Sequence, residues 1–452
     1  MREFRTASLL KNGNLALALA PALTPKGLED APRFFQGTAV KPQILARGLL
    51  VLADITAARY FKYTPAAMRD PVLSAQGDRL RAECFSACNS VYARLDLLQP
   101  GFDGEISFGT TNVDIGPELR TALTEIKQKD QLKLSVGSDG LSALALNYSE
   151  EIAPMGRIIV QRPVEMPERW VRALGNTAAI HKEMKPMFAV KGTAAKAFIA
   201  SLPAATGQER SGWLTYSPAG VKILPRRSAG AVWVSGLHRL SALKRVMTDT
   251  LGLCFYTQAE EKQGGMMIEA DLGCARLTLS LTAESWQGYS GEGALLEGLA
   301  RPEVIENAWE IGSVLSFEAK LNEKLLAEKW RLSGGQAEAA LALLAVSGKL
   351  GYDLYENSYF HRELPEELER VHKDNPRLVA ARKLIDQIES IGGGQWIVHS
   401  QDMDYRVTYD PNRDIKEAKC TCAWYFNHQN GRGPCKHILA VRLKEGSYEQ
   451  QD

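Results

Sequence analysis

Short runs of alternating apolar and polar residues, separated by turn residues, occur between about Phe102 and Leu299. Alternation with a period of two is typical of strands with one buried face. Several runs lead through a Gly or Pro turn into a segment with apolar residues at every third or fourth position, as at Val113 to Ile126. The pattern predicts an α+β body. Similar strand-to-helix units at 158–174 and 232–246 reflect either a degenerate duplication or ordinary connection chemistry.

The segments on either side of this body have different patterns. Arg47 to Leu98 is expected to be largely helical. Ser333 is a candidate N-cap for an Ala-rich helix from Gln336 to Val346, because a Ser hydroxyl can accept hydrogen bonds from the free amides of a first turn. Strand-like runs follow at 349–356 and 359–364. Helices followed by a hairpin predict a winged-helix-like module.

The Ala-rich helix of this module contains no Lys or Arg, so we interpret it as a packing helix rather than a helix that reads DNA. The next helix is predicted from Pro376 to Ile388, where apolar residues recur at helical spacing. Three glycines, Gly392 to Gly394, come after it. Because glycine has the greatest backbone freedom, we expect a hinge or domain boundary there.

Composition narrows the classes of partner and compartment. Hydrophobic residues form 45% of the chain and charged residues 24%, as in ordinary globular proteins. Lys and Arg number 54 and Asp and Glu 53, so nucleic-acid binding would require a local basic patch. No apolar run reaches the roughly 18 residues of a membrane-spanning helix, and we expect no membrane association. The N-terminus up to Leu23 is faintly similar to a secretory signal but is interpreted as a first strand.

Cysteine and histidine near the C-terminus have the spacing of a metal site. Cys420 and Cys422 are separated by one residue, and Cys435 and His437 follow after twelve more. Residues i and i+2 of a strand face the same side, so the first two thiols can point at one ion. Three thiolates and one imidazole complete the tetrahedral shell of Zn²⁺, which predicts one structural zinc ion. His428 is an alternative fourth ligand.

The CxC and CxH pairs, with a strand, loop and helix around them, resemble the SWIM-type zinc finger. The stretches GYDLYENSYFHRELP (351–365), NPRLVAARKLI (375–385) and CTCAWYFNHQNGRGPCKHILAVRL (420–443) resemble the C-terminal half of bacterial SWIM zinc finger proteins. The resemblance implies a small domain that binds DNA or proteins. In some bacterial members it also implies an association with MoxR-type AAA ATPases and von Willebrand A proteins.

The region around the ligands is basic. Seven Lys or Arg and two Asp or Glu lie between Arg413 and Lys444, and three thiolates with one Zn²⁺ leave about four formal positive charges. Basic and aromatic residues together can hold phosphates and stack on bases. The candidate contact residues are Lys416, Lys419, Trp424, Arg432, Lys436 and Arg442. In the alternative, Trp424 and Phe426 pack the core of the finger and the lysines are only solvated.

Other candidates for chemistry are weaker. Gly291 to Gly293 precede a helical pattern, and amides of such a turn can hold an anion, but the Lys and Ser or Thr of a P-loop are missing. Cys84 and Cys88 are one helical turn apart and are interpreted as packed residues of a helix face. The histidines at 181, 238, 372 and 399 are isolated in sequence. We recognise no catalytic constellation.

These patterns predict a multi-domain α+β protein. Its expected domains are a mainly helical segment (1–100), an α+β body (101–310), a winged-helix-like module (311–391) and a zinc-stabilised ββα-type SWIM finger (392–452). We expect a non-catalytic protein that binds nucleic acid or a protein partner through the finger. Its sparse, odd-numbered cysteines favour the reducing cytoplasm. The alternatives are an adaptor in an AAA ATPase complex and an enzyme with an anion site at Gly291 to Gly293.

Overall fold

A computed structural model of the chain divides into two units, each with its own internal contacts. The first comprises Met1–Trp170, Glu183–Tyr289 and Ser316–Ala319, and the second Val171–Lys182, Ser290–Leu315 and Lys320–Asp452. The structure describes residues 2–4, 9–11, 14–17, 22–24, 27–29, 33–60, 71–113, 115–130, 132–137, 162–164, 168–207, 209–258, 263–289, 302–313, 315, 317–362, 376–400, 403–410, 413, 415–430 and 434–448.

The first unit consists mainly of antiparallel strands. In chain order they are β1 (Arg2–Phe4), β2 (Leu9–Lys11), β3 (Asn14–Leu17), β4 (Ala22–Thr24), β5 (Gly27–Glu29), β6 (Arg33–Ala39), β7 (Val72–Gln76), β8 (Arg79–Phe85), β9 (Val91–Leu98), β10 (Phe102–Ile106), β11 (Phe108–Asn112), β12 (Lys133–Gly137), β13 (Arg162–Val164), β14 (Lys185–Lys191), β15 (Gly212–Ser217), β16 (Gly220–Leu224), β17 (Val232–Val234), β18 (Gly252–Thr257), β19 (Met266–Asp271) and β20 (Ala275–Leu281).

Within the described residues, these strands form one large sheet and three smaller ones. The large sheet has the order β14-β18-β19-β20-β9-β8-β7-β11-β4-β5. The others have the orders β10-β6-β12-β3-β2, β16-β15-β17 and β1-β13. Neighbouring strands are antiparallel except β12 and β3, which are parallel.

Helices accompany these sheets. They are α1 (Pro42–Ala57), α2 (Pro117–Glu125), α3 (Glu168–Glu183), most of which belongs to the second unit, and α4 (Gly192–Ser201), with 3-10 helices at Gln99–Gly101 and Leu237–Val246. Helix α1 packs on β8 and β9. A Cβ atom on Gly48 would lie 2.8 Å from the Leu95 side chain, so this glycine permits the close approach of helix and sheet. No helix among the described residues is long and apolar enough to cross a membrane.

The other face of β8 and β9 is charged and nevertheless buried. Arg81 and Arg94 both donate to the carboxylate of Asp96, and all three side chains are at most 1% exposed. The hydroxyl of Tyr92 donates to Glu83 at 2.6 Å. Buried charges of this kind persist when they are paired and hydrogen-bonded.

The prediction that residues 1–100 are mainly helical was wrong. In the described part of that range, α1 and a single 3-10 turn accompany the strands β1 to β9. The period of two in β8 was not recognised because its alternate residues, such as Arg79 and Glu83, are charged without facing water. Cys84 lies on β8 and Cys88 in the turn that follows, so their expected helical spacing was also wrong.

The second unit combines helices with two small sheets. Its helices are α5 (Pro302–Ser313), α6 (Glu323–Trp330), α7 (Gly334–Val346), α8 (Pro376–Arg382), α9 (Ala423–His428) and α10 (Lys436–Tyr448), with 3-10 helices at Ile385–Gln387 and Ile415–Glu417. Its strands are β21 (Leu350–Asp353), β22 (Ser358–His361), β23 (Ile388–Gly392), β24 (Gln395–Ser400), β25 (Met403–Thr408) and β26 (Lys419–Cys420).

Ser333 caps α7 as predicted. Its hydroxyl accepts from the Gln336 amide, and the Gln336 side chain accepts from the Ser333 amide, which forms a capping box. The hairpin of β21 and β22 follows α7, and its turn ends at Asn357, which has a positive φ of 48°.

The glycine run is the turn of a hairpin and not a boundary between domains. Gly392, Gly393 and Gly394 have φ values of 83°, 62° and 73°, which only glycine adopts readily, and β23 and β24 pair on either side of them. The predicted boundary at 391/392 was therefore wrong, and contacts place all of Lys320–Asp452 in one unit. The helix predicted from Pro376 to Ile388 also ends earlier than expected. It stops at Arg382, and Ile388 is the first residue of β23.

One apolar cluster joins the helices of the second unit to its four-stranded sheet. The cluster contains Ala308 and Ile311 of α5, Leu341 and Leu344 of α7, Trp396, Val398 and Val407 of the sheet, and Ile438 and Leu439 of α10. The sheet has the order β23-β24-β25-β26. Its short last strand carries the first cysteine of the C-terminal group.

Helix α3 meets the end of α7 at Gly175, where a Cβ atom would lie 2.6 Å from Val346 Cα. We expect Gly175→Ala to lower the free energy of unfolding by about 1–3 kcal/mol, because neither backbone can move away without disturbing the core. Gly335→Ala is the matched control, since this exposed glycine of α7 has no atom within 4 Å of its added Cβ. Urea unfolding followed by circular dichroism measures both, and equal stabilities would contradict the expected close contact.

Candidate metal centre

Cys420, Cys422, Cys435 and His437 converge on one point. Cys420 ends β26, Cys422 is the N-cap of α9, and Cys435 and His437 lie at the start of α10. All four side chains are buried, and their candidate ligand atoms lie within 4.8 Å of one another. These are the four residues that the sequence spacing predicts.

Pairing with β25 orients the first two cysteines. Cys420 is opposite Val407, which is buried. Thr421, between the two cysteines, donates its amide to the Arg406 carbonyl, and its hydroxyl accepts from the Arg406 amide. Because Thr421 is exposed, both neighbouring cysteines point inward.

Asn430 holds the turn that follows α9 through its side chain, a contact that the turn-forming run from Asn430 to Pro434 does not by itself predict. Gln429 and Asn430 both have positive φ values, 42° and 62°. The buried side-chain amide of Asn430 donates to the Ala418 carbonyl at 2.7 Å, which joins this turn to the segment before Cys420. The available signal was Asn followed by Gly, a pair that tolerates left-handed backbone.

Backbone amides point at two of the sulfur atoms. The Tyr425 amide donates to Cys422 Sγ at 3.5 Å, and the Ile438 amide donates to Cys435 Sγ at 3.4 Å. Amides at the start of a helix favour the thiolate over the thiol. The starts of α9 and α10 therefore prepare both sulfurs for a cation.

A stacked ring fixes the imidazole. The rings of His437 and Tyr405 have centroids 4.1 Å apart and planes 19° apart. His437 Nδ1 lies 3.7 Å from Cys420 Sγ. Zn–S and Zn–N bonds of ordinary length at a tetrahedral angle place sulfur and nitrogen about 3.6 Å apart. The donor set and its spacing thus fit one zinc ion.

The three thiols share their protons unequally. The hydrogen bond from Cys420 holds the pKa of Cys422 far below that of an ordinary thiol. Because Cys420 donates this bond from its thiol, the bond raises the pKa of Cys420. For Cys435, the bond to Cys420 lowers the pKa, but the bond to Cys422 and burial outweigh it and raise the pKa to about 11. Without a metal, Cys420 and Cys435 therefore keep their protons at neutral pH.

All four positions of a tetrahedral zinc shell are supplied by the protein, so the site is of the structural class. When bound, zinc would hold the three sulfurs as thiolates and tie β26, α9 and α10 together. Among the residues that the structure describes, Cys420, Cys422, Cys435 and His437 are the group of His, Cys, Asp or Glu side chains placed to hold a metal ion. The side chain of the alternative ligand His428 lies outside the described residues, as do Gly291 to Gly293 and His372.

The predicted contact residues have different surroundings. Lys419 is exposed, and Lys436 and Arg442 are half-buried. The Lys436 ammonium donates to Ser400 Oγ at 3.5 Å. Trp424 is half-buried against the core, and the Arg377 guanidinium lies 4.5 Å from the centre of its ring. The side chains of Lys416 and Arg432 lie outside the described residues.

Residues 405–444 match the protein-family model of the SWIM zinc finger. The match includes the four candidate ligands and confirms the resemblance of this segment to SWIM fingers. It also supports the assignment of one structural zinc ion. We refer to residues 405–444 as the SWIM segment.

Solved structures give weaker similarities, and no match was found among curated proteins. Proliferating Cellular Nuclear Antigen from Entamoeba histolytica is 11% identical, with 56% of this chain and 99% of that chain covered and a TM-score of 0.33. The PCNA2–PCNA3 complex from Sulfolobus tokodaii is 7% identical, with 55% and 98% covered and a TM-score of 0.34. Both similarities are too weak to support an inference about this chain.

Replacing Cys435 by Ser removes one thiolate from the shell. We expect loss of zinc and loss of amide protection throughout the SWIM segment, because zinc contributes on the order of 10 kcal/mol to the folding of small zinc modules. Hydrogen exchange with mass spectrometry checks this, and Cys254→Ser is the control at a cysteine outside the site. Equal loss of protection in β7 to β9 would contradict a local role for the metal.

Zinc affinity should fall as the pH falls. The thiols of Cys420 and Cys435 have raised pKa values, so protons occupy them in the metal-free site and must leave when zinc binds. Binding near neutral pH should release about two protons and weaken about 100-fold for each pH unit of acidification. Competition with a chromophoric chelator measures the affinity, and calorimetry in two buffers counts the protons. An affinity independent of pH would show that the thiols are already ionised.

Proposed function

We propose that this chain is a non-catalytic protein that binds nucleic acid through its zinc-stabilised SWIM segment. The observation that carries this proposal is the exposure of Phe426. This ring on α9 is 82% exposed, although a side chain of its kind is normally buried. An exposed ring offers a face on which an unpaired base can stack.

The structure also bears on the alternative in which Trp424 and Phe426 both pack the finger core. Trp424 does pack against the apolar cluster of the second unit. Phe426 does not, because α9 directs it to solvent. The two aromatic residues therefore differ in role, and Phe426 is the better contact candidate.

The SWIM segment also carries exposed cations. Lys419 is opposite Thr408 on the solvent face of β25 and β26, and Arg406 lies on the same face. Residues opposite each other or two apart on one face are neighbours. Lys419 and Arg406 could thus hold phosphates beside a base stacked on Phe426.

The proposal has three further parts, which are a non-catalytic role, a cytoplasmic location and a winged-helix-like module. A closed zinc shell has no open position for a substrate, which supports a non-catalytic role. None of the seven cysteines forms a disulfide, which supports a reducing compartment such as the cytoplasm. The helices α6 and α7 with the β21–β22 hairpin have the element order of a winged-helix-like module.

A second candidate function is that of a protein adaptor, for example in an AAA ATPase complex. The observation that favours it is the lack of Lys and Arg on α7, whose Leu341 and Leu344 pack in the core of the unit itself, so this helix has no cation with which to hold a phosphate. A helix of this composition packs against protein and does not grip DNA. In this case the winged-helix-like module would be a protein-binding element.

The test is a titration of the zinc-loaded full chain against labelled single-stranded and duplex DNA over a salt series. We expect Phe426→Ala to weaken single-strand binding roughly 5- to 100-fold, because stacking on an aromatic ring contributes about 1–3 kcal/mol per base. Lys419→Ala should reduce the slope of log affinity against log salt by about one.

Lys324→Ala is the matched control, because this lysine is equally exposed on α6 of the same unit. It should leave both the affinity and the salt slope unchanged. If neither DNA form binds at low salt, or if Phe426→Ala and Lys419→Ala behave like the control, the nucleic-acid proposal fails and the adaptor becomes the better reading.

A further inference from the structure

Positive charge is concentrated in one part of the first unit. The whole chain has a formal net charge of +1, but the residues from Glu183 to Arg245 include ten Lys or Arg and only two Asp or Glu. Arg239 is buried, and Arg245 pairs with Asp54 at 2.8 Å. The remaining cations exceed the local carboxylates by a wide margin, whereas the rest of the chain has 44 Lys or Arg against 51 Asp or Glu.

The β15–β16 hairpin gathers several of these cations. Lys222 lies on β16, the edge strand of its three-stranded sheet, and is exposed. Arg226 and Arg227 follow the end of β16 and are also exposed. Within the described part of the chain, no carboxylate forms an ion pair with these three residues.

Strand register brings a fourth cation to the same end of the hairpin. Trp213 is opposite Leu224, so the chain just before β15 runs beside the chain just after β16. Arg210 therefore lies at the same end as Arg226 and Arg227, and it is exposed. Lys222 lies opposite Thr215, so five residues of extended chain, about 17 Å, separate its position from that of Arg210.

An exposed aromatic ring lies at this end as well. The Ser285 hydroxyl donates to Glu209 Oε1 at 3.0 Å, which ties the loop that carries Trp286 to the segment before β15. Trp286 is 55% exposed. One end of the hairpin therefore has exposed cations and, in the adjoining loop, a solvent-facing indole.

We propose that Arg210, Lys222, Arg226, Arg227 and Trp286, which we call the hairpin surface, bind single-stranded nucleic acid independently of zinc. The four cations would contact successive phosphates, and Trp286 would stack on an unpaired base. A phosphate backbone suits a row of unpaired cations because each contact releases a condensed counterion. The indole favours a single strand over an acidic protein segment, since every base offers a ring face.

The test uses the full chain with Phe426→Ala and Lys419→Ala as the parent, so that contacts by the SWIM segment do not obscure the result. Charge reversal by Lys222→Glu, Arg226→Glu and Arg227→Glu should weaken binding of a labelled single-stranded oligonucleotide roughly tenfold or more and reduce the salt slope. Trp286→Ala should weaken single-strand binding several-fold and leave duplex binding unchanged.

A matched triple reversal, Arg59→Glu, Lys127→Glu and Lys129→Glu, controls for net charge, because these residues are exposed elsewhere in the first unit. It should retain most of the affinity of the parent, and chelation of zinc should not abolish binding. The proposal is overturned if the two triple variants bind equally well, if binding requires zinc, or if polyglutamate binds the hairpin surface and the oligonucleotide does not.

Discussion

Three sulfurs and one imidazole are buried within 4.8 Å of one another, and their polar atoms need a shared bonding partner. The SWIM segment is organised around this requirement. Thiols packed this closely cannot all ionise without a cation, and here they divide their protons unequally. A zinc ion resolves the conflict by holding three thiolates at once. Cys420, Cys422 and Cys435 also belong to the apolar cluster of the second unit, so the metal shell is part of its core.

Residues that supply no ligand atom support this site. Asn430 anchors the turn after α9, Thr421 ties the segment between Cys420 and Cys422 to β25, and Tyr405 holds the imidazole by stacking. Each fixes a direction in which a ligand points. Such supporting contacts commonly affect metal affinity as strongly as some ligands do.

The sequence predicted the metal site better than it predicted the fold, for physical reasons. Ligand identity depends on donor chemistry and short spacing, both of which are local, so Cys420 to His437 could be assigned directly. The capping of α7 by Ser333 is also local. The strands β7 to β9 were missed because Arg81 and Asp96 satisfy each other inside the protein, a pairing between strands that hydropathy does not reveal. Gly392 to Gly394 were misread because a tight turn and a flexible linker require the same residue.

The contacts of Arg377 determine how long a segment must be to carry the metal site into another protein. This residue lies on α8, well before the matched SWIM segment, yet its guanidinium covers Trp424 and donates to the Pro434 carbonyl at 3.3 Å. A second contact joins α10 to the start of β23, because the Lys444 ammonium donates to the Ile388 carbonyl at 2.6 Å. A gene fusion that transferred only the residues carrying the ligand motif would leave the Trp424 ring uncovered and the end of α10 unanchored. The heritable module is therefore longer than its recognisable signature and extends at least to α8, within a unit whose apolar core also includes α5 and α7.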